Sequence, residues 1–391
     1  MAFSRGISGL NDPRLRGLFY QTLLVVAIVG LAWGAAHNAY LNMLARGIPL
    51  GFAFWDQVAG FDINLHLIDY SALSTYGRAF WVGLLNTLLV AVISIPLTTL
   101  LGFLVGVARL SPNWLLSRFA LLYTVIFRNT PLLLQLFFWY NAVLKTLPGP
   151  RQSLSAANVI FLNNRGLFLP APTALASAKW FACAIGVAAV LFAALLIWAK
   201  RLQERTGAQT PVYLLGAAAF LGLPTLAIAA TGAPFSFEFA KLSGFNLKGG
   251  LQIIPEMAAL VFGLVVFTAA FIAEIVRAGV QGVHHGQVEA AGALGLHPGL
   301  ATRLIVIPQA MRLIIPPLTS QYLNIVKNSS LAVFVGYPDL VQIFAGTVLN
   351  QTQAAVQVMA ITMAVYLTIS LAVAAALNRF NATYALQGRP A

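Results

Sequence analysis

Three clusters of charged and polar residues interrupt otherwise apolar runs of this chain, and their types limit the chemistry they can do. Arg128, Asn129 and Thr130 lie in "FRNTPLLLQLFFWY", directly before Pro131. Glu274 lies in "FTAAFIAEIVRAG", three residues before Arg277, which puts the two on one helical face. Lys327, Asn328 and Ser329 lie in "YLNIVKNSSLAVF". Charges at membrane depth are costly and mark a pathway or a partner contact. A solute carrying both an ammonium and a carboxylate needs a route with acceptors and donors, and these groups supply both. The plainer alternative pairs Arg128 with Glu274 as structural glue, or lets the long side chains reach an interface.

Bond-making chemistry is not in view. No G-x-x-x-x-G-K-[ST] occurs, so the chain holds no P-loop of its own. There is no H-E-x-x-H, no cysteine cluster, and no glycine-framed serine followed by an acid and a histidine. The five histidines make no metal-ligand pattern; His284 and His285 are adjacent and read as a solvated loop or a partner contact. The single cysteine, Cys183, reads as a small buried hydrophobe. An enzyme is not expected on these grounds.

A fourth stretch is mechanical rather than chemical. "VEAAGALGLHPG" reads as a short helix, a glycine corner at Gly295 and a second helix start. Glu289 is placed near the first helix start, where a carboxylate suits the helix dipole. Ala290 and Ala291 allow close approach to another surface. Such a helix can dock as a knob into a groove on a soluble partner, or form an ordinary interfacial hairpin.

The elements that position these residues follow from composition. Of 391 residues 59% are hydrophobic and only 8% charged, with mean hydropathy +0.83, against about a quarter charged in soluble domains. Runs of about 20 apolar residues cross a bilayer. Eight are found, near 18–40, 82–107, 119–145, 180–199, 212–231, 256–277, 303–327 and 355–378, the third and seventh broken by polar residues. No alternating strand signal appears, so the spans are helices. The first run is longer than a signal-peptide core and is expected to be retained.

The net charge of +13 reads as orientation. With the N-terminus inside, Arg5, Arg14, Arg16, Arg109, Arg118, Lys200, Arg201, Arg205, Arg277, Arg303, Arg379 and Arg389 are cytoplasmic, whereas Asp56, Asp62, Asp69, Glu238 and Glu256 are outside. Both termini are then cytoplasmic. "FAFWDQVAGFDINLHLIDYS" reads as an interfacial amphipathic segment with a solvated aspartate face.

The spacing from Glu289 to Pro308 is E-A-A-x3-G-x9-I-x-L-P, with Ile307 where leucine is usual, and it resembles the cytoplasmic coupling loop of bacterial ABC-importer membrane subunits. Residues 83–140 and 269–332 look like the polar-amino-acid permeases of histidine, glutamine and arginine type. That family usually has R-G-T-P-L-L and K-D-[ST]-S-L, so Asn129 and Asn328 are departures. The resemblance implies a polytopic all-α membrane protein with about eight transmembrane helices and a type I permease-like core. The division is 1–77, an extra span with an outer segment; 78–145, the first part of the core; 146–255, an insertion with two more spans; and 256–391, the rest of the core with the loop at about 284–303. The enlarged layout is most similar to the first permease of general L-amino-acid systems.

By that resemblance the chain is a transport subunit in the bacterial inner membrane and holds no cofactor of its own. A second permease subunit, identical or different, completes the pathway. Two cytoplasmic ATPase subunits bind ATP and magnesium, and a periplasmic binding protein delivers the amino acid. Nucleic acid is not a partner; lipid is. Glu289, Ala290, Ala291 and Gly295 are carried over as coupling residues. Arg128, Asn129, Thr130, Glu274, Lys327, Asn328 and Ser329 are candidates for the pathway. The competing expectations are an ion-coupled secondary transporter, in which Glu274 titrates, and a membrane scaffold or sensor.

Overall fold

The computed structural model describes residues 13–45, 47, 51–207 and 210–386; Arg5 and Arg389, counted above for orientation, lie outside them. Helix forms wherever the sequence is continuously apolar. The long helices are α1 (Pro13–Ala45), α2 (Tyr76–Arg109), α3 (Trp114–Asn129), α5 (Ala178–Thr206), α6 (Val212–Thr231), α7 (Pro255–Gln281), α10 (Ile307–Asn328) and α12 (Ala355–Leu386). Short ones are α4 (Leu132–Phe137), α8 (His285–Ala293), α9 (Pro298–Ala301) and α11 (Leu349–Thr352). Among the described residues seven helical stretches are long and apolar enough to cross a membrane, eight if the bent pair of α3 with Leu132–Leu144 is one span. That pair turns through 104° at Pro131, so the third apolar run is two helices rather than one kinked helix.

The chain divides into two compact units, Met1–Pro96 with Glu274–Ala391, and Leu97–Ala273. In the first, residues 51–75 contain no α-helix. They form one 3-10 turn (Ala53–Asp56) and an irregular loop closed by a bridge between Val58 and Thr75. Phe54, Ala59, Ile63 and Tyr70 bury themselves against Leu340, Ile343, Phe344 and Val348. Of the aromatics that suggested a membrane surface, Phe54 and Tyr70 are core while Phe52 stays exposed, and Phe80 and Trp55 both meet Phe344 edge-on. Gly83 lets α2 approach this wall: a Cβ there would lie 3.0 Å from the Leu340 Cα.

In the second unit α7 is the central helix. Tyr123 of α3 donates to the Val266 carbonyl, and Trp139 packs on Phe262. Two thirds of the most apolar stretch of α7 is buried in protein (67%), against none of α1 and 6% for α5. α1 and α5 therefore leave nearly all of their apolar surface outside this chain's own core. This corrects the reading of Cys183, which is exposed on α5. Hydropathy rewards any apolar solvent and does not separate core from bilayer.

Among the described residues eight short strands, unannounced by periodicity, flank the α5–α6 pair. Strands β1 (Leu154–Ala156), β2 (Ile160–Asn163), β3 (Gly166–Leu169) and β8 (Leu251–Ile253) form an antiparallel sheet in the order β1-β2-β3-β8. β4 (Ala171–Ala174) pairs with β5 (Phe235–Glu238), and β6 (Lys241–Ser243) with β7 (Asn246–Lys248). Strands of three or four residues are too short for alternation to register in sequence.

Candidate functional site

α8 runs from His285 to Ala293, so Glu289 stands in mid-helix rather than near its start. His284 caps the helix through Nδ1, which accepts from Gly286 N at 3.2 Å, and His297 caps α9 in the same way from Gly299 N. The histidine pair read as a solvated loop thus begins a helix. The remaining partner, His285, meets the Glu289 carboxylate at 2.9 Å, both side chains being exposed. The helix ends in a paired αL closure. Gly295 takes φ +75, Gly295 N donates to Gly292 O, and Leu296 N donates to Ala291 O at 3.0 Å.

Of the two alanines only Ala291 packs inward, at 1% exposure; Ala290 faces out. Leu294 is 81% exposed, and Val288, Leu300 and Leu304 are exposed beside it. Glu289 and these leucines are exposed on the loop, an acid among apolar side chains, the composition of a docking knob. A π-helical turn, Thr302–Val306, and the Gln309–Gln287 hydrogen bond join the loop to α10.

The arginine segment lies at the break between α3 and α4. Arg128 is exposed, with its guanidinium 5.2 Å from the centre of the Phe271 ring. Asn129 is exposed at the last position of α3, and Thr130 turns its hydroxyl back to Ile126 O. Pro131 has no N–H to give to Phe127 O, the carbonyl four residues earlier. Gln135 supplies the missing donor: its Nε2 bonds Phe127 O at 3.1 Å and Thr130 O at 3.0 Å, and its side chain is buried. The sequence signal was a polar residue one turn after the proline.

Glu274 pairs with Arg277 one turn on, as the spacing predicts, with Nε to Oε1 at 3.1 Å; Arg277 also donates to Gln281. Lys327 is exposed near the end of α10, Asn328 is half-buried, and Ser329 is buried with its hydroxyl on Val326 O. The arginine segment falls in one unit, and Glu274 with the lysine segment falls in the other.

Ser329 belongs to a network that the sequence did not disclose. Asp339, fully buried, accepts from Gln342 N at 2.8 Å and from the Tyr366 hydroxyl at 3.1 Å. Tyr366 also meets Ser329 and Thr87, and Thr87 accepts from Leu340 N. Asn86 donates to Leu65 O and Pro338 O, both at 2.8 Å, and its carbonyl accepts from Tyr337. Burial pushes the Asp339 carboxyl up to about 7, against the pull of these donors, and it has no cationic partner among the causes of that shift. Among the described residues no group of three His, Cys, Asp or Glu could hold a metal ion.

Residues 98–382 match the family described as binding-protein-dependent transport system inner membrane component. A putative amino-acid ABC transporter permease, YhdX of Escherichia coli K12, is 50% identical over 385 residues, 98% of each chain. The general L-amino acid transport system permease AapQ of Rhizobium johnstonii is 46% identical, over 98% of this chain and 95% of its own. The glutamate/glutamine/aspartate/asparagine permease BztB of Rhodobacter capsulatus is 38% identical over 97% and 96%. Seven or eight helices apolar enough to cross a membrane, among the described residues, fit an inner-membrane component. The chain belongs to the inner-membrane components of binding-protein-dependent transport systems, as a permease subunit of an ABC importer, with ATP hydrolysis left to a separate chain.

Proposed function

We propose that this permease imports L-amino acids and that its α8–Gly295–α9 loop is where a cytoplasmic ATPase grips it. The observation that carries the reading is the rigid, uncovered loop itself. Both helices are capped by histidine and the corner between them is fixed by three backbone hydrogen bonds, Leu294 N to Ala290 O among them. Leu294 and Glu289 project from it. A stiff element of this kind transmits displacement, because a rigid body moves as a whole. The substrate class follows the names of full-length relatives at 46% and 50% identity.

In this reading both termini and the Glu289 loop are cytoplasmic, and residues 51–75, 146–177 and 232–254 are outside. A second permease, two ATPases with ATP and magnesium, and a periplasmic binding protein complete the importer. Glu289, Ala290, Ala291 and Gly295 couple the ATPase to the spans. Arg128, Asn129, Thr130, Glu274, Lys327, Asn328 and Ser329 lie along or beside the solute route, and broken helices such as α3–α4 are where transporters bind charged solutes. The test is co-purification of the native complex and measurement of ATP hydrolysis with each L-amino acid and its binding protein. Stimulation by amino acids supports the reading; amino-acid uptake into liposomes by the isolated chain, without ATP, overturns it.

A further inference from the structure

The insertion carries a second place where a zwitterion fits. Strands β6 and β7 set Lys241 directly opposite Lys248 in an antiparallel pair. Like charges directly opposed across strands destabilise the pair unless an anion lies between them. Among the described residues neither lysine takes part in an ion pair, and Glu238 is likewise unpaired although it borders the same groove. The carboxylate reaches the end of the hairpin because residue 249 is glycine: a Cβ there would lie 2.7 Å from Glu238 Oε1. Phe237, Phe239 and Ser243 complete the wall of a cavity of about 460 Å³. One carboxylate, two ammonium groups and two aromatic rings therefore face a space large enough for a free amino acid.

We propose that this groove is an outer subsite for free α-amino acids, with the α-carboxylate between Lys241 and Lys248 and the α-ammonium on Glu238. The assignment rests on the reading above, which makes the solute an amino acid and puts residues 232–254 outside. Opposite charges at the head group with only phenyl rings for the side chain select the zwitterion and not the side chain. The groove is open, so its role is a weak holding site beside the entrance.

The experiment uses the full chain with its partner subunits in neutral phosphatidylcholine nanodiscs, without binding protein. L-glutamine and N-acetyl-L-glutamine are titrated by saturation-transfer NMR. The expected result is millimolar binding of L-glutamine, weakened at least tenfold in the Lys241→Gln, Lys248→Gln double variant. Glu238→Gln is expected to weaken L-glutamine to a similar extent while leaving the N-acetyl compound, which lacks the ammonium, unchanged. Wild-type binding of L-glutamine in both variants overturns the proposal. So does loss of the signal when phosphatidylglycerol is added, since the groove is then a lipid headgroup site. ATPase stimulation by the loaded binding protein, measured on the same samples, separates the two readings: stimulation without nanodisc binding sinks this subsite alone, and binding without stimulation sinks the importer reading.

Discussion

Gln135 shows how one side chain can set a membrane helix's path. Proline removes a backbone donor inside apolar surroundings, where an orphaned carbonyl is expensive, and the Gln135 amide fills that place for Phe127 O. Gln135→Leu keeps the volume and removes both hydrogen bonds, at a cost of about 1–3 kcal/mol. A lower thermal midpoint in detergent is expected; an unchanged midpoint would mean that the 104° bend is held by other contacts. Asp339 makes the opposite case, an acceptor that is better neutral. Its folded pKa of about 7 lies above the ordinary 3.8, so the native state binds the extra proton between those values. Stability therefore falls as pH rises from about 4 through 7 and is greatest below that window. The groups facing it are Tyr366 from α12 and Tyr337 from its own turn, and Tyr366 in turn meets Ser329 after α10 and Thr87 from α2, none of them cationic. Asp339→Asn should flatten the pH dependence of the melting midpoint between pH 5 and 7.5; a slope equal to wild type would assign it to another group. Neither Gln135 nor Asp339 stood out in sequence, because a lone polar residue in an apolar run does not say which carbonyl or hydroxyl it meets.

Among the elements, the α8–Gly295–α9 loop, proposed above to meet the ATPase, was the most legible. Gly295 was marked as a corner from spacing, and its φ of +75 is the left-handed conformation that a glycine adopts freely. Replacing it by valine forces a β-branched side chain into that conformation, a strain of about 1–3 kcal/mol. Gly295→Val and Glu289→Lys should both insert and co-purify with the second permease, yet lose most of the amino-acid-stimulated ATP hydrolysis. Full stimulation in both variants would remove the loop from the coupling path. What spacing misplaced was the helix start: His284, not a residue next to Glu289, is the cap, since a histidine Nδ1 serves as acceptor where sequence rules look first for Ser, Thr, Asp or Asn. The core packing of segment 51–75 was missed for a related reason. Its Phe, Trp and Tyr have the composition of a membrane interface and of a protein core alike, and only Phe344 and its neighbours on the far side of the sequence distinguish the two.

For the whole molecule, the two-span insertion can be treated as a separable module. α5 and α6 pack on each other, with Gly216 set against the Phe192 ring, and they are entered and left through the paired strands β4 and β5. Leu175 N donates to Pro234 O just beyond the last strand pair. Removing residues 176–233 and closing the gap with Asn-Gly leaves a two-residue hairpin loop of a favoured kind. The shortened chain should insert, and its melting midpoint should stay close to that of the full chain; aggregation on extraction would show that the hairpin shields a surface of the core. Composition, span count and the Glu289–Pro308 spacing were set by sequence alone, because bilayer thickness fixes the length of an apolar run and the α8–α9 loop is local along the chain. The broken third span, the anchoring of residues 51–75 through Phe54, Ala59, Ile63 and Tyr70, and the Asp339 network waited on the tertiary structure. Each depends on contacts between residues that are distant in sequence or on which apolar medium, lipid or protein, a side chain meets, and hydropathy scores those two media alike.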